Sequence, residues 1–355
     1  MNETLPTRRR FLFSAAGVAG LALGAAPLAG AAPAKSGKYL KPPVRVLSNP
    51  QPLGPIKQVE TDLLDIGYYE AGRPEEGRPV ILLHGFPYDI HSFADVAPIL
   101  AAQGYWVIIP HLRGHGSTRF LDAATPRSGQ QAAIGQDVID LMDALHIPEA
   151  VLGGYDWGGR AACVAALIKP SRVVGLVSVN SYLVQDIAKA ALPLAPPVER
   201  GFWYQFYFTT ERGRAGLTKN RDDIARLMWE GNSPSWRFDG PMFARSAKSF
   251  DNPDYVEVVI HSYRHRLGLA PGYPAYEALE KKLAAVPPIS VPTITLDGEE
   301  DGVVAATDGT ASAAKFSGKR IHRKVAGAGH NLPQEAPKAF ADAIIELVRA
   351  GAWRT

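Results

Sequence analysis

The most constraining stretch of this 355-residue chain is a short turn, Gly154-Tyr155-Asp156-Trp157-Gly158-Gly159. An apolar run, Ala150-Val151-Leu152-Gly153-Gly154, leads into it, and helical spacing follows over residues 159–168. A strand that passes so abruptly into a helix crowds its own backbone. Positions 154, 158 and 159 therefore have to be small, and the central side chain, Asp156, is lifted above the end of a sheet. Other apolar runs lie at 79–83 and 106–109, residues 173–179 read as the next strand, and the sheet pattern resumes at 292–296 and 320–325. Runs of this kind suit buried parallel strands. Residues 59–64 and 66–70 read as a hairpin turned near Asp65, residues 130–145 as a helix, and 334–350 as a closing helix. Strands alternating with helices predict an α/β chain, a mostly parallel sheet flanked by helices. Between 181 and 285 the strand runs vanish and aromatic and charged residues mix, which predicts a helical insertion.

Hydrophobic residues make up 46% of the chain and charged residues 21%, which excludes a disordered or fibrous protein. The single cysteine, Cys163, excludes an intrachain disulfide and a cysteine-based zinc cluster. Thr7-Arg8-Arg9-Arg10-Phe11-Leu12-Phe13, followed by an Ala/Gly/Leu-rich stretch, predicts a twin-arginine-type export signal over residues 1–34. Export to the periplasm or the extracellular space follows from it, without stable membrane association once the signal is cleaved. Those residues carry +2 of the net +3, leaving about +1, so the pattern gives no footprint for nucleic acid. The expected organisation is signal 1–34, core 35–180, helical cap 181–285 and core again 286–355, with the oligomeric state open.

Asp at the tip of such a turn selects a reaction class. A carboxylate is already anionic at neutral pH, so it can displace a leaving group at saturated carbon and leave an alkyl ester on the protein. Water must then attack that ester, which needs a general base and an oxyanion hole. His84-Gly85-Phe86-Pro87 follows the run ending at Leu83, where backbone N–H groups of Phe86 and Trp157 can serve as donors. Gly327-Ala328-Gly329-His330-Asn331 supplies a histidine on a small-residue loop. Gly298-Glu299-Glu300-Asp301 supplies an acid to orient it. Asp297, Glu299 and Glu300 compete with Asp301 for that role. His84 reads as a brace for its loop. The pairs His111/His115 and His261/His265 have zinc-compatible spacing but lack the glutamate of the H-E-x-x-H pattern, so no metal and no cofactor is expected.

With these motifs and Arg113-Gly114-His115-Gly116-Ser117, the chain resembles an α/β-hydrolase of the epoxide hydrolase and haloalkane dehalogenase branch. The resemblance implies Asp156 as nucleophile, His330 as base and Asp301, three residues after Gly298, as its partner. It also implies two cap tyrosines, matched by Tyr204 in Phe202-Trp203-Tyr204-Gln205 and Tyr263 in His261-Ser262-Tyr263-Arg264. Opening an epoxide creates an alkoxide far more basic than a phenolate, whose pKa is about 10, so an acid must stand opposite the nucleophile. Phe86, Trp157 and Trp203 are the expected substrate walls, and the expected partner is a small epoxide or halogenated molecule. Tyr155 stands where family members usually carry His or Gln, and Arg160 is a feature shared with fluoroacetate-type dehalogenases. A hydrolytic haloalkane or haloacid dehalogenase, or a non-catalytic binder on the same fold, is the alternative reading.

Overall fold

Runs without polar interruption are stable only where both faces of a sheet are covered, and the computed structural model of the chain places them there. The structure describes residues 53–352, and the expected signal over residues 1–34 lies outside them. The strands are β1 (Lys57–Glu60), β2 (Leu64–Ala71), β3 (Arg78–Leu83), β4 (Tyr105–Pro110), β5 (Arg119–Phe120), β6 (Ala150–Gly154), β7 (Val173–Val179), β8 (Thr293–Gly298) and β9 (Arg320–Val325). They form one sheet in the order β1-β2-β4-β3-β6-β7-β8-β9, with β5 beside β2. Pairings of β2 with β1, β4 and β5 are antiparallel, and from β4 to β9 every neighbour is parallel. Val80 to Leu83 and Ala150 to Leu152 are fully buried at the centre.

The flanking helices in the first part of the chain are α1 (Val96–Ala101), α2 (Gln131–Ala144) and α3 (Asp156–Ile168). Between β7 and β8 the described elements are all helical: α4 (Pro196–Gly201), α5 (Trp203–Tyr207), α6 (Glu211–Asn232), α7 (Gly240–Ala247), α8 (Tyr255–Arg266), α9 (Glu277–Ala284) and short 3-10 turns. The Thr210 hydroxyl caps α6 by accepting from Gly213 N–H, and Asp239 caps α7 through Met242 N–H. The chain closes with α10 (Leu332–Glu335) and α11 (Pro337–Leu347). Among the described residues no helix is long and apolar enough to cross a membrane.

Three local expectations are corrected. The first hairpin turns at residues 61–63, not near Asp65, because the Thr61 hydroxyl accepts from Leu64 N–H at 3.1 Å and closes the turn early. Asp65 is therefore a strand residue opposite Glu60. The closing helix is broken at Ala336, whose φ of −136° is extended, since the ring of Pro337 disfavours a helical residue before it. The helix after the sharp turn begins at Asp156, three residues earlier than the spacing suggested.

Candidate active site

Strand order decides where the site lies. From β3 the chain moves outward to β4, then returns to β6 on the other side of β3. At such a switch point the loops after the two adjacent strands diverge and leave a crevice beyond their carboxyl ends. The loop after β3 carries His84 to Tyr88, and the turn after β6 carries Tyr155 to Trp157. Asp156 sits at φ +49°, a left-handed conformation that Asp adopts more readily than most residues. The packing beneath it leaves no room for side chains. A Cβ on Gly158 would lie 2.0 Å from the Leu83 carbonyl oxygen, and one on Gly85 would lie 2.7 Å from Asp156 Cβ.

Asp156 is held at both oxygens. Phe86 N–H donates to Oδ1 at 2.6 Å, and Trp157 N–H also reaches the carboxylate. Oδ2 faces His330 Nε2 at 3.7 Å. On the other side of the ring, His330 Nδ1 donates to Asp301 Oδ2 at 2.8 Å. Asp301 is itself fixed: Val303 and Val304 N–H donate to its Oδ1, and Asn180 Nδ2 donates to Oδ2. Burial disfavours the charged form of all three groups, and their mutual pairing overrides it. His330 and the two backbone N–H groups hold the Asp156 carboxyl below the usual range. His330 likewise holds Asp301 low. Asp301 and Asp156 together raise the imidazole to about 10.

These shifts predict a pH-dependent stability. His330 is raised above 6.5, so its share of the pairing is fully present below that pH and lost as pH rises through about 10. The carboxyls are lowered from 3.8, so their share is present above that value and lost as pH falls through their folded values. Asp301→Asn is expected to lose about 3 kcal/mol, as when one partner of a buried pair is removed. In melting curves across pH, the gap to the unmodified protein should be widest near pH 6 and should narrow as pH approaches about 10. A gap of constant size would mean that the charge on His330 contributes nothing.

Two phenols lie within electrostatic reach of Asp156. Tyr204 on α5 and Tyr263 on α8 are buried, their rings edge to face at 5.5 Å, and Trp157 Nε1 donates to Tyr263 Oη at 3.3 Å. Burial and the charge of Asp156 push Tyr204 up to about 12. Burial, the neighbouring Tyr204 and Asp156 push Tyr263 well above 10. Both are therefore protonated donors at neutral pH. Phe86 stacks on Trp157 at 5.1 Å and meets Tyr263 and Phe208 edge-on, completing an aromatic chamber.

The structure thus brings together Asp156, His330, Asp301, Tyr204, Tyr263, Phe86 and Trp157. It does not bring Trp203 to them. That side chain is 40% exposed and packs against the outer sides of Tyr204 and Tyr207. Adjacent helical residues point about 100° apart, so Trp203 cannot share the inner face with Tyr204. Phe208, four residues after Tyr204, takes that place, and its i,i+4 spacing was the available signal. Asn180 carried no local signal, because its role depends on β7 ending beside the Asp301 loop. Asp297 accepts from Thr307 and not from His330, whose Nδ1 is bonded to Asp301. His84 donates through Nδ1 to Gly85 O and accepts through Nε2 from Leu112 N–H. Burial pushes it down to about 3, so it is a neutral brace. Tyr155, in the position that departs from the family pattern, is buried with its hydroxyl 2.7 Å from Ser92 Oγ.

Comparison with known proteins places the fold in a family. The alpha/beta hydrolase fold family matches residues 78–337. The chain belongs to that family. Within it, epoxide hydrolase A of Mycobacterium tuberculosis is 26% identical over 316 residues, spanning 82% of this chain and 96% of that protein. A crystal structure of a Klebsiella pneumoniae protein assigned to the epoxide hydrolases is 49% identical, with a TM-score of 0.81, and covers 83% of this chain and 97% of its own. The α/β-hydrolase described here is accordingly an enzyme of the epoxide hydrolase kind, and small molecules are its substrates.

Proposed function

We propose that this α/β-hydrolase converts an epoxide to a vicinal diol through an alkyl ester on Asp156. The observation that carries the reading is the pair of buried, protonated phenols, Tyr204 and Tyr263, within electrostatic reach of a carboxylate whose Oδ1 already lies against Phe86 N–H. Asp156 Oδ2 attacks a ring carbon, the carbon–oxygen bond breaks, and the departing oxygen takes a proton from a tyrosine. Oδ1 becomes the ester carbonyl oxygen. It then sits on the Phe86 and Trp157 N–H groups, where an oxyanion would be stabilised.

The ester also changes the histidine. Esterification removes the negative charge of Asp156, one of the influences that raise His330, while Asp301 remains. The imidazole becomes easier to deprotonate when a base is required, and it takes a proton from water as that water attacks the ester carbonyl. Collapse of the tetrahedral species breaks the bond between carbonyl carbon and Oδ2. The diol oxygen takes a proton from the imidazolium, the acid formed on Asp156 then gives its proton to the imidazole, and the tyrosinate is reprotonated from solvent, which had accepted the proton that His330 lost before acting as base. Because Oδ2 leaves with the diol, a single turnover in ¹⁸O-labelled water should place the label in Asp156 and not in the first diol released.

The tyrosines separate this reading from a dehalogenase. A halide leaves without a proton, whereas an alkoxide needs one. Replacing Tyr204 or Tyr263 by Phe should slow epoxide opening by about 10²-fold, and replacing both by about 10⁴-fold. Steady-state assays with epoxide and haloalkane panels test this. Halide release, at a rate unaffected by the double replacement, would move the reading to dehalogenation.

A further inference from the structure

The last turn of α6 and the residue after it touch three of the loops that carry the candidate machinery, those after β3, β8 and β9. Trp229 Nε1 donates to Pro87 O at 2.7 Å, and Asn232 Nδ2 donates to Tyr88 Oη at 3.3 Å, both on the loop after β3. Asn232 O accepts from Gly302 N–H at 2.9 Å, beside Asp301. The next residue, Ser233, is buried, and its Oγ accepts the backbone N–H of His330 itself at 3.0 Å. That hydroxyl donates to Glu335 Oε1 at 2.6 Å. Glu335, also buried, accepts Gly329 N–H on Oε2 at 2.7 Å and Asn331 N–H on Oε1 at 3.1 Å. The histidine is therefore bracketed. Its two neighbours are tied to Glu335 and its own N–H to Ser233, which Glu335 orients. The fit is tight, since a Cβ on Gly329 would lie 2.9 Å from Ser233 Cα.

We propose that Ser233, oriented by Glu335, is a positioning residue that sets His330 for ester hydrolysis, so that the helical segment bearing the tyrosines also registers the base. The proposal rests on the epoxide reading for its kinetic consequence, not for its geometry. A hydroxyl donating to a carboxylate while accepting a main-chain N–H has one low-energy orientation. Removing it leaves His330 N–H without a partner in a buried site and frees the loop to shift. The attack by Asp156 does not use the histidine, so only the second half of the reaction should suffer.

The test uses Ser233→Ala, Glu335→Gln and the double variant in the full chain. A displacement of His330 by a fraction of an ångström to an ångström should lower kcat by about 10- to 100-fold. At the same time kcat/KM, which reports through ester formation, should change by less than about 3-fold. Intact mass measured during turnover should show the ester accumulating. The double variant should be no slower than the worse single one, as expected for residues acting as a unit. An unchanged kcat, or kcat and kcat/KM falling together with no ester build-up, would overturn the proposal. A second measurement is independent of turnover. The far-downfield proton signal of His330 Nδ1–H, bonded to Asp301, should shift or broaden in Ser233→Ala at pH 6, and an unchanged signal counts against positioning. If His330→Gln forms no ester from any epoxide, the epoxide reading fails and the proton signal alone decides the proposal.

Discussion

Asp156→Asn leaves a folded protein whose epoxide turnover is lower by about 10⁴-fold or more, the scale seen when a nucleophile that acts as part of a unit is removed. Folding survives because Asn tolerates the left-handed φ of +49° as well as Asp does. Asn also still presents an oxygen to Phe86 N–H, the 2.6 Å bond that seats the side chain. What disappears is the nucleophile, since the amide nitrogen that replaces Oδ2 does not attack carbon at neutral pH. The charge facing His330 is lost as well. The measurement is diol formation by freshly purified variant, with peptide mass mapping to show that position 156 has not deamidated. Undiminished activity with an intact amide would sink the ester mechanism outright.

His330→Gln separates the two half-reactions. Ester formation uses Asp156 and the tyrosines, so the first half-reaction proceeds. Hydrolysis needs a base beside the ester carbonyl, and glutamine is not one. Steady-state kcat should fall by about 10³-fold, within the range assigned to a positioned general base. Intact-protein mass spectrometry should then show a gain equal to the whole epoxide, mapped to the peptide containing Asp156. A gain of only the alkyl group, with halide released, would identify a dehalogenase. No adduct from either class would leave the fold standing and withdraw the substrate class.

The two variants together test a feature of the site that neither tests alone. Asp156 and Asp301 flank one imidazole, 3.7 Å and 2.8 Å away, and both raise its pKa. In the resting state His330 is therefore held protonated, the wrong form for a base. Ester formation, as proposed, would remove one of the two charges that hold it so. On the proposed mechanism the charge of Asp156 would thus disfavour the basic form of His330 until the ester has formed.

Most of the sheet was legible in the chain because buried parallel strands are written in local composition. The expected and observed bounds of β6 and β7 coincide, and those of β3, β4 and β8 differ only at their ends. The turn at Asp156 was legible for a similar reason. Gly154, Gly158 and Gly159 answer a steric demand of neighbouring backbone, which sequence proximity carries. Misreadings fell where a single bond or ring settles the matter, as with the Thr61 hydroxyl that closes the first hairpin and Pro337 that splits the closing helix.

The candidate site divides along the same line. Asp156, His330, Asp301 and the loop after β3 could be named from motifs because each lies at the end of a strand, and strand order brings strand ends together. The face of α5 that looks inward and the bracket of Ser233 and Glu335 could not be read this way. Trp203 and Tyr204 are equally aromatic and adjacent, and only the rotation of α5 against α8 decides that Tyr204 enters the chamber while Trp203 stays half in solvent. Ser233 and Glu335 lie 102 positions apart, and their 2.6 Å bond exists because the helical segment between β7 and β8 folds back over the loops of the sheet. Local sterics and strand composition are properties of short stretches and survive in the sequence. The orientation of one helix on another and the meeting of distant loops are settled by packing over the whole chain, and only the tertiary structure contains them.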